Sequence, residues 1–447
     1  MFSTIRNAFK IPDLRRRILF TLLMLIIFRL GANIPVPFLS KEAMQAFLGG
    51  GTDLFSLFNV FTGGAFANAT VMAMGVSPYI NASIIVQLLT VAIPALERLA
   101  KEGVEGRKKI NKITRYLGIA LAFVQGAGLY VTLYNMGIQN GMTTISRTDA
   151  LGFFTIVLTF TAGTAFIVWL GELITEKGLG SGVSLIIFAG IVSSIPSGIF
   201  ALYKQYLTGD IKVSGIITVV AIAIIAIAAI AFVVFFDKAE RRIPVQYAKR
   251  VVGRKMYGGQ STHIPIKVVM AGVMPIIFAS SIMAFPATIV RLATGGQMLE
   301  PGSVGHLILS MLQPNAGMSG APWWTDIVYS VLYFLLIIFF TYFYTAIQFN
   351  PIELANNMKK NGGFIPGIRP GKPTSDYIMK CSSRLNLIGA IFLGIIAIMP
   401  VIGGAIIGNP SIQIGGTSLL IMEGVALETV RQIESQMTMR HYKGFLE

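Results

Sequence analysis

The chain has 447 residues, of which 54% are hydrophobic and 13% charged, and its formal net charge is +16. Its mean hydropathy of +0.70 excludes a soluble globular protein and is typical of a polytopic membrane protein. The single cysteine, Cys381, excludes a disulfide framework, and the three scattered histidines offer no metal-ligand spacing. We therefore expect an all-α membrane protein with no metal and no cofactor.

Ten apolar runs long enough to cross a bilayer follow one another along the chain. They fall at about 18–38, 76–93, 116–134, 151–171, 183–203, 213–236, 265–290, 327–348, 385–407 and 411–430. The first run follows three arginines as a signal peptide would, but no small-residue cleavage site follows it, so we interpret it as a retained span. The sequence thus predicts ten transmembrane helices.

Basic residues in the loops predict the orientation of the spans, because Lys and Arg concentrate on the cytoplasmic side of short loops. The N-terminus and the second-to-third, sixth-to-seventh and eighth-to-ninth loops are strongly basic. The fourth-to-fifth and fifth-to-sixth loops carry too few charges to be assigned directly. Because successive loops alternate between the two sides of the membrane, their sides follow from those of the neighbouring loops. Both termini are expected in the cytoplasm.

The segment from Leu54 to Met74 fits no ordinary span. It is apolar, but short polar and glycine residues interrupt it, namely Asn59, Thr62, Gly63, Gly64, Asn68 and Thr70. Irregular backbone at membrane depth persists only where protein covers it or where it lines a wet cavity. The segment therefore predicts a short, poorly helical half-span beside a cavity, with an amphipathic surface helix as the alternative.

Two pairs of β-branched residues, Val76 with Ile80 and Val183 with Ile187, are each one helical turn apart. Such side chains are stiff at χ1, which suits a narrow apolar constriction that must keep its diameter. Pairs of this kind also commonly pack against neighbouring helices, so both interpretations stay open on spacing alone.

Residues that could carry chemistry are few. The ionisable residues in or beside the spans lie near span ends and favour structural roles: Arg29, Glu172, Lys267, Glu423 and Glu428. The segment Gly367–Pro373 departs from a nucleotide-binding loop at both ends. A secondary transporter with discontinuous helices would need buried coupling carboxylates, and a membrane-embedded hydrolase would need a nucleophile and base inside the spans. We therefore predict that the chain is not an enzyme and disfavour both alternatives.

The two long basic loops, 237–264 and 349–384, predict a docking surface. Proline, glycine and aromatic residues alternate with Lys and Arg in RRIPVQYAKRVVGRK and NNMKKNGGFIPGIRPGK. Ribosomal RNA or an acidic motor protein would suit such a surface, because Lys and Arg neutralise phosphate or carboxylate charge. Contact with anionic lipid is the alternative.

Eight segments spread along nearly the whole chain form an ordered series: FRLGANIPVP, MGVSPYINASIIVQLLT, KEGVEGRKKI, WLGELITEKGLGSGVS, RRIPVQYAKR, STHIPIKV, FNPIELANNMKKNGGFIPGIRPG and GGTSLLI. In content and order this series resembles the SecY family, the channel-forming subunits of protein-conducting translocases. The resemblance implies two pseudo-symmetric five-helix halves, 1–205 and 206–447, around an hourglass pore. That pore would open laterally to lipid between the second-to-third and seventh-to-eighth helices.

The resemblance also implies roles for individual residues. A short re-entrant plug helix at about 54–70 would include Phe58, Asn59, Phe61, Gly63, Gly64 and Phe66. A pore ring would consist of Val76, Ile80, Val183, Ile187, Ile277 and Ile421. The lateral gate would include Gln87 on the second helix and, where the family commonly carries a polar Asn on the seventh, Val269. Docking of a motor or ribosome would involve Arg241, Arg242, Lys249, Arg250, Arg254, Lys255 and Arg369.

The function that the resemblance implies is a passive channel in the bacterial plasma membrane. It would pass unfolded secretory polypeptides across the membrane and release transmembrane segments sideways into lipid. The implied partners are SecE-type and SecG-type small membrane subunits, a SecA ATPase motor, the ribosome, signal peptides, nascent polypeptides and membrane lipid.

Overall fold

The computed structural model describes residues 2–42, 44–45, 59, 61–140, 144–207, 213–247, 250–252, 255–257, 261–294, 303–313, 322, 324–407 and 415–443. Helices dominate the described chain. In chain order they are α1 (Phe2–Lys10), α2 (Pro12–Gly31), α3 (Ser77–Ala92), α4 (Pro94–Lys101), α5 (Val104–Asn140), α6 (Ala150–Lys177), α7 (Gly182–Leu207), α8 (Val213–Lys238), α9 (Met274–Ala293), α10 (Val304–Leu312), α11 (Trp324–Gln348), α12 (Pro351–Lys360), α13 (Lys372–Ile407) and α14 (Gly415–Lys443).

Each predicted apolar run overlaps one of these helices. The matching helices, in the order of the runs, are α2, α3, α5, α6, α7, α8, α9, α11, α13 and α14. Six helices of the described chain are long and apolar enough to cross a bilayer, or up to seven if α3 and α4 count as one bent span. The chain is therefore a multi-pass membrane protein.

Two predicted boundaries were wrong. Helix α2 ends at Gly31 rather than near residue 38, because Pro35 and Pro37 lack the N–H that a helix needs and disfavour helical backbone in the residues before them. Helix α9 begins at Met274 rather than near residue 265. The residues before it form a strand and then turns that include Gly272 at φ +61°.

Helices α3 and α4 meet at an angle of 100°. The break falls at Ile93, whose backbone is extended at φ −107° and ψ 114°, because the ring of Pro94 disfavours helical backbone in the preceding residue. Pro94 itself suits the first position of α4, where no N–H is needed. The chain therefore leaves the second apolar run in a sharp turn.

The described chain divides into two compact units. Unit 1 comprises Met1–Ile222, Ser281–Tyr329 and Pro400–Glu447, and unit 2 comprises Ala223–Ser280 and Ser330–Met399. This division is not the predicted division into halves at residue 205, which stays a prediction.

In unit 1, the loops gather at the two ends of α2. At its beginning, α1, the turn at Leu179 and the second half of α14 share an apolar cluster that includes Leu14 and Ile433. Beyond its end, the segment after α2 pairs with the loop before α6 through a bridge between Leu39 and Ile145. The N-terminal helices, the fourth-to-fifth loop and the C-terminal helix thus lie together at one end of α2.

In unit 2, the two long basic loops form one small β-containing module, which the sequence analysis did not predict. Its strands are β1 (Glu240–Tyr247), β4 (Ser261–Lys267) and β5 (Gly363–Phe364), in the sheet order β4-β1-β5, and β2 (Arg250–Val252) pairs with β3 (Lys255–Tyr257). In the antiparallel register of β1 and β4, Ile243 lies opposite Ile264. Strand β5 reaches β1 only at Gln246 and Tyr247.

Candidate functional site

The predicted plug segment is irregular where the structure describes it, at residues 59 and 61–76. Its backbone forms consecutive turns from Thr62 to Val76, so the predicted plug helix does not extend through residues 62–70. The reason is local, because Gly63 and Gly64 adopt φ +65° and +86° and Ala69 adopts φ +51°, values that a right-handed helix does not contain. The predicted plug residue Phe58 lies outside the described residues.

Asn59 closes this segment into a loop. Its carbonyl oxygen accepts hydrogen bonds from the backbone N–H of Gly64 at 2.8 Å and the hydroxyl of Thr62 at 3.2 Å. Its side-chain Oδ1 accepts a further bond from the backbone N–H of Ala67 at 2.8 Å. The Thr62 hydroxyl in turn accepts from the N–H of Phe66. Residues 59 and 61–67 therefore satisfy many of their polar groups among themselves, as an irregular segment away from water requires.

Backbone hydrogen bonds hold the base of the segment to the chain that follows α2. The N–H of Val36 donates to the carbonyl of Ala69 at 2.8 Å, and the N–H of Val71 donates to the carbonyl of Ile34 at 2.9 Å. These bonds form an isolated antiparallel bridge between Pro35 and Thr70. The segment is thus anchored at residues 69–71.

The tip of the segment lies against α2 and α7. The guanidinium Nη1 of Arg29 donates to the carbonyl oxygen of Gly63 at 2.7 Å. A Cβ at Gly190 of α7 would overlap the carbonyl oxygen of Phe61, and a Cβ at Gly63 would meet the hydroxyl of Ser193. Glycine at position 190 therefore lets the tip approach the backbone of α7 closely.

Apolar packing covers the segment. Phe66 is 2% exposed, and Ala69 and Ala73 lie in the same buried cluster. The cluster draws its other buried members from the loops and from α5 and α6: Val36, Met44, Leu129, Tyr130, Leu133, Ile145, Ile156, Val157 and Phe160. Burial of one such side chain is worth about 1.5–3 kcal/mol. Both hydrogen bonds and apolar contacts therefore hold the segment in place.

The structure puts the two predicted ring pairs on helical turns. Val76 directly precedes α3, and its carbonyl accepts the N–H of Ile80 at 3.0 Å. Val183 and Ile187 lie in the first two turns of α7, with Val183 against the backbone of Gly171. Val76, Ile187 and Ile421 are buried, whereas Ile80, Val183 and Ile277 are half-buried. Five of the six residues belong to unit 1 and Ile277 belongs to unit 2, so one common ring stays a prediction.

The predicted gate residues have different surroundings. Gln87 lies on α3, where its Nε2 donates to the hydroxyl of Ser83 at 3.2 Å. Val269 was wrongly expected on the seventh helix: it lies in the turn before α9 and is 6% exposed. It is in the turn because the hairpin pairing extends to Lys267, and a Cβ at Gly389 of α13 would lie 3.7 Å from its Cα.

Three of the predicted docking arginines lie on the β-containing module of unit 2. Arg241 and Arg242 are exposed on β1, and Arg242 Nε lies 2.8 Å from Glu240 Oε1. Arg369 is exposed in the loop between β5 and α13, where its carbonyl accepts the hydroxyl of Thr374 at 2.8 Å. A core that includes Ile243, Val245, Ile266, Met358, Ile365 and Ile378 supports the module.

The remaining predicted docking residues receive no side-chain description. Lys249 and Arg254 lie outside the described residues, and Arg250 and Lys255 belong to strands β2 and β3. One further residue of the site, Arg29, was not predicted from the sequence. Arg29 was assigned a structural role at a span end, and no local pattern linked it to Gly63, which lies 34 positions away.

Comparison with known proteins agrees with this architecture along the whole chain. The family model described as SecY matches residues 70–430. The "Protein translocase subunit SecY" of Streptomyces coelicolor is 45% identical over 454 residues, and that of Mycobacterium tuberculosis is 44% identical over 471 residues, each alignment covering 100% of both chains.

Solved structures support the fold. One described as "The structure of a protein conducting channel" aligns with a TM-score of 0.68 and 19% identity, covering 97% of both chains. Another, "Sec61 in the Canine ribosome-channel complex from the endoplasmic reticulum", aligns with a TM-score of 0.63 and 18% identity over 97% of both chains. Because the SecY family model matches most of the chain and relatives match it over their full length, this chain belongs to the SecY family.

Proposed function

We propose that this chain is the channel-forming subunit of a protein translocase. It passes unfolded secretory polypeptides across the membrane and releases transmembrane segments laterally into lipid. The full-length relatives named as protein translocase subunits support this function. Ten spans around an hourglass pore, with a ring at the six predicted residues, complete the proposal.

The observation that carries the proposal is the docked segment 61–76. A buried span could not leave its site without exposing a whole helix, whereas this loop makes its Asn59-centred hydrogen bonds within itself and does not need to break them to move. A segment that satisfies its own polar groups and is tied down at one base suits a removable stopper. We therefore assign residues 59–67 as the plug of the idle channel.

The grouping of loops in unit 1 supports the proposed orientation. The N-terminal helices, the turn at Leu179 and the C-terminal helix share one cluster, and the basic N-terminus makes this end cytoplasmic under the positive-inside rule. Both termini then lie in the cytoplasm of a bacterial cell whose plasma membrane the chain spans.

External partners supply the energy and the substrate. A passive channel needs a SecA-type ATPase motor or an elongating ribosome, and the module with Arg241, Arg242 and Arg369 exposed offers a cationic docking surface for either. Structural neighbours described as ribosome-bound channels favour the ribosome. SecE-type and SecG-type subunits would cover apolar helix surface, of which α8 has much, with Ile227 and Phe235 exposed.

Reconstitution tests this function. The chain, together with its small partner subunits, is placed in proteoliposomes and supplied with motor, ATP and an unfolded secretory precursor. Protease-protected precursor should accumulate with time and depend on ATP. Protection no greater than in liposomes without the chain would contradict the proposal.

A further inference from the structure

We propose that Arg29 is a latch that holds the plug tip in its docked position, an inference that rests on the proposed plug function. Arg29 lies in the last turn of α2, and its Nη1 donates to the Gly63 carbonyl at 2.7 Å. Because the donor is charged, this hydrogen bond is stronger than one between neutral groups.

The backbone of Gly63 presents its carbonyl to the arginine. The residue adopts φ +65°, a conformation that glycine tolerates and that other residues rarely take. A Cβ at Gly63 would meet Ser193 and Gly190 of α7 as well as the guanidinium. Gly63 therefore lies where α7 and the guanidinium come together.

The guanidinium of Arg29 binds the plug and not a carboxylate of the described chain. Among the residues that the structure describes, none of the ion pairs involves Arg29. Arg147, by contrast, lies 3.3 Å from Asp149 at the outer loops. Arg29 therefore acts on the position of the Gly63 carbonyl, which is its charge-assisted hydrogen-bond partner.

The two ends of the segment are held differently. Two backbone hydrogen bonds fix the base at Ala69 and Val71 to the chain after α2. One side-chain hydrogen bond and close packing against α7 hold the tip at Gly63. Release of Arg29 therefore removes the charged hydrogen bond from the tip while the base stays attached and Phe66 stays packed, so the arginine sets how often the idle plug leaves its site.

Cysteine alkylation measures that frequency. We replace Cys381 with serine, introduce Ala67→Cys in the half-buried part of the loop, and follow its reaction with a maleimide in the full-length chain in nanodiscs. Arg29→Gln should raise the reaction rate about tenfold, because a hydrogen bond to a charged group is lost. Arg29→Lys keeps a cationic donor and should stay within about twofold of the parent, as should the control Arg147→Gln.

Arg29→Met serves as a second variant if Arg29→Gln does not accumulate. It keeps an unbranched side chain of high helix propensity and removes a charge from a membrane helix, so folding is expected. The alkylation rate of this variant should also rise about tenfold, because the same hydrogen bond is lost. A rate within about twofold of the parent for the variants without a cation, or an equal rise in Arg29→Lys, would overturn the latch.

Failure of the latch is distinguishable from failure of the plug. If deletion of the plug raises ion conductance but Arg29→Gln changes neither conductance nor alkylation, the plug stands and the latch is wrong. If plug deletion leaves conductance unchanged, the proposed plug function itself fails. Arg29→Gln should raise conductance in the same bilayers in which Arg147→Gln does not.

Discussion

Arg115 Nη1 lies 3.0 Å from Glu172 Oε2, so an ion pair joins α5, three turns in from its start, to the second-last turn of α6. The two residues are 57 positions apart, and their contact fixes the relative height of two antiparallel spans. Both side chains are about a third exposed, at 39% and 32%.

Reversal of this pair should restore thermal stability that a single charge reversal lowers. Arg115→Glu puts two carboxylates side by side and should lower thermal stability, whereas Arg115→Glu with Glu172→Arg should recover it. The coupling in a double-mutant cycle should be about 1 kcal/mol, the upper range for partly exposed pairs. Unfolding followed by intrinsic fluorescence in detergent measures it, and a coupling near zero would mean that the pair does not align the spans.

Two glycines beside the plug-bearing segment should respond differently to alanine. A Cβ at Gly163 would overlap the carbonyl oxygen of Val71, which is backbone, while a Cβ at Gly31 would meet the flexible end of the Met72 side chain. Gly163→Ala should therefore reduce the folded yield in membranes despite better helix propensity, and Gly31→Ala should be tolerated. Equal yields of the two variants would contradict the close packing of α6 against Val71.

Deletion of residues 56–66 should give a folded channel with raised resting conductance. The bridge between Pro35 and Thr70 lies beyond the deletion and keeps the following chain in place. Planar bilayers measure the leak, and a Gly/Ser replacement of equal length separates loss of the docked loop from shortening of the chain. Resting conductance equal to that of the parent would count against a plug.

Arg369→Glu should abolish motor-driven export while the abundance of the chain stays near normal. The fold uses the carbonyl of this residue, which accepts from Thr374, while its side chain is exposed. A charge reversal there removes a docking cation without disturbing the core of the module. Lys380→Glu, an exposed cation on α13, is the matched control, and export that survives Arg369→Glu would remove the assigned role.

Much of the helical architecture was predictable because long apolar runs report burial in lipid directly. The β-containing module was missed although the alternation of Ile243 with Val245 and of Ile264 with Ile266 has the period of a strand. Pro244 and Pro265 interrupt these alternations, and proline is disfavoured inside a sheet. Strand β5 does not reach β1 at Pro244, so the missing N–H costs no sheet hydrogen bond on that side.

The plug site was only partly predictable for a different reason. Its polar and glycine residues indicated irregular backbone, which the structure has. Its contacts with Arg29, Gly163 and Gly190 depend on how distant helices come together, and a local pattern carries no information about such pairs. The start of α9 likewise depends on the hairpin register that ends at Lys267.

The central claim is that a polypeptide passes along the face of the chain that carries the predicted ring. Cysteine at Ile80 or Ile187, in a Cys381→Ser background, should crosslink to a secretory chain arrested mid-transit. Cysteine at Val192, which is exposed on the same helix as Ile187 and roughly 140° around its axis, should not. Adducts from both ring positions and none from Val192 are the predicted result, and the absence of adducts from the ring, or equal adducts from Val192, would contradict the account.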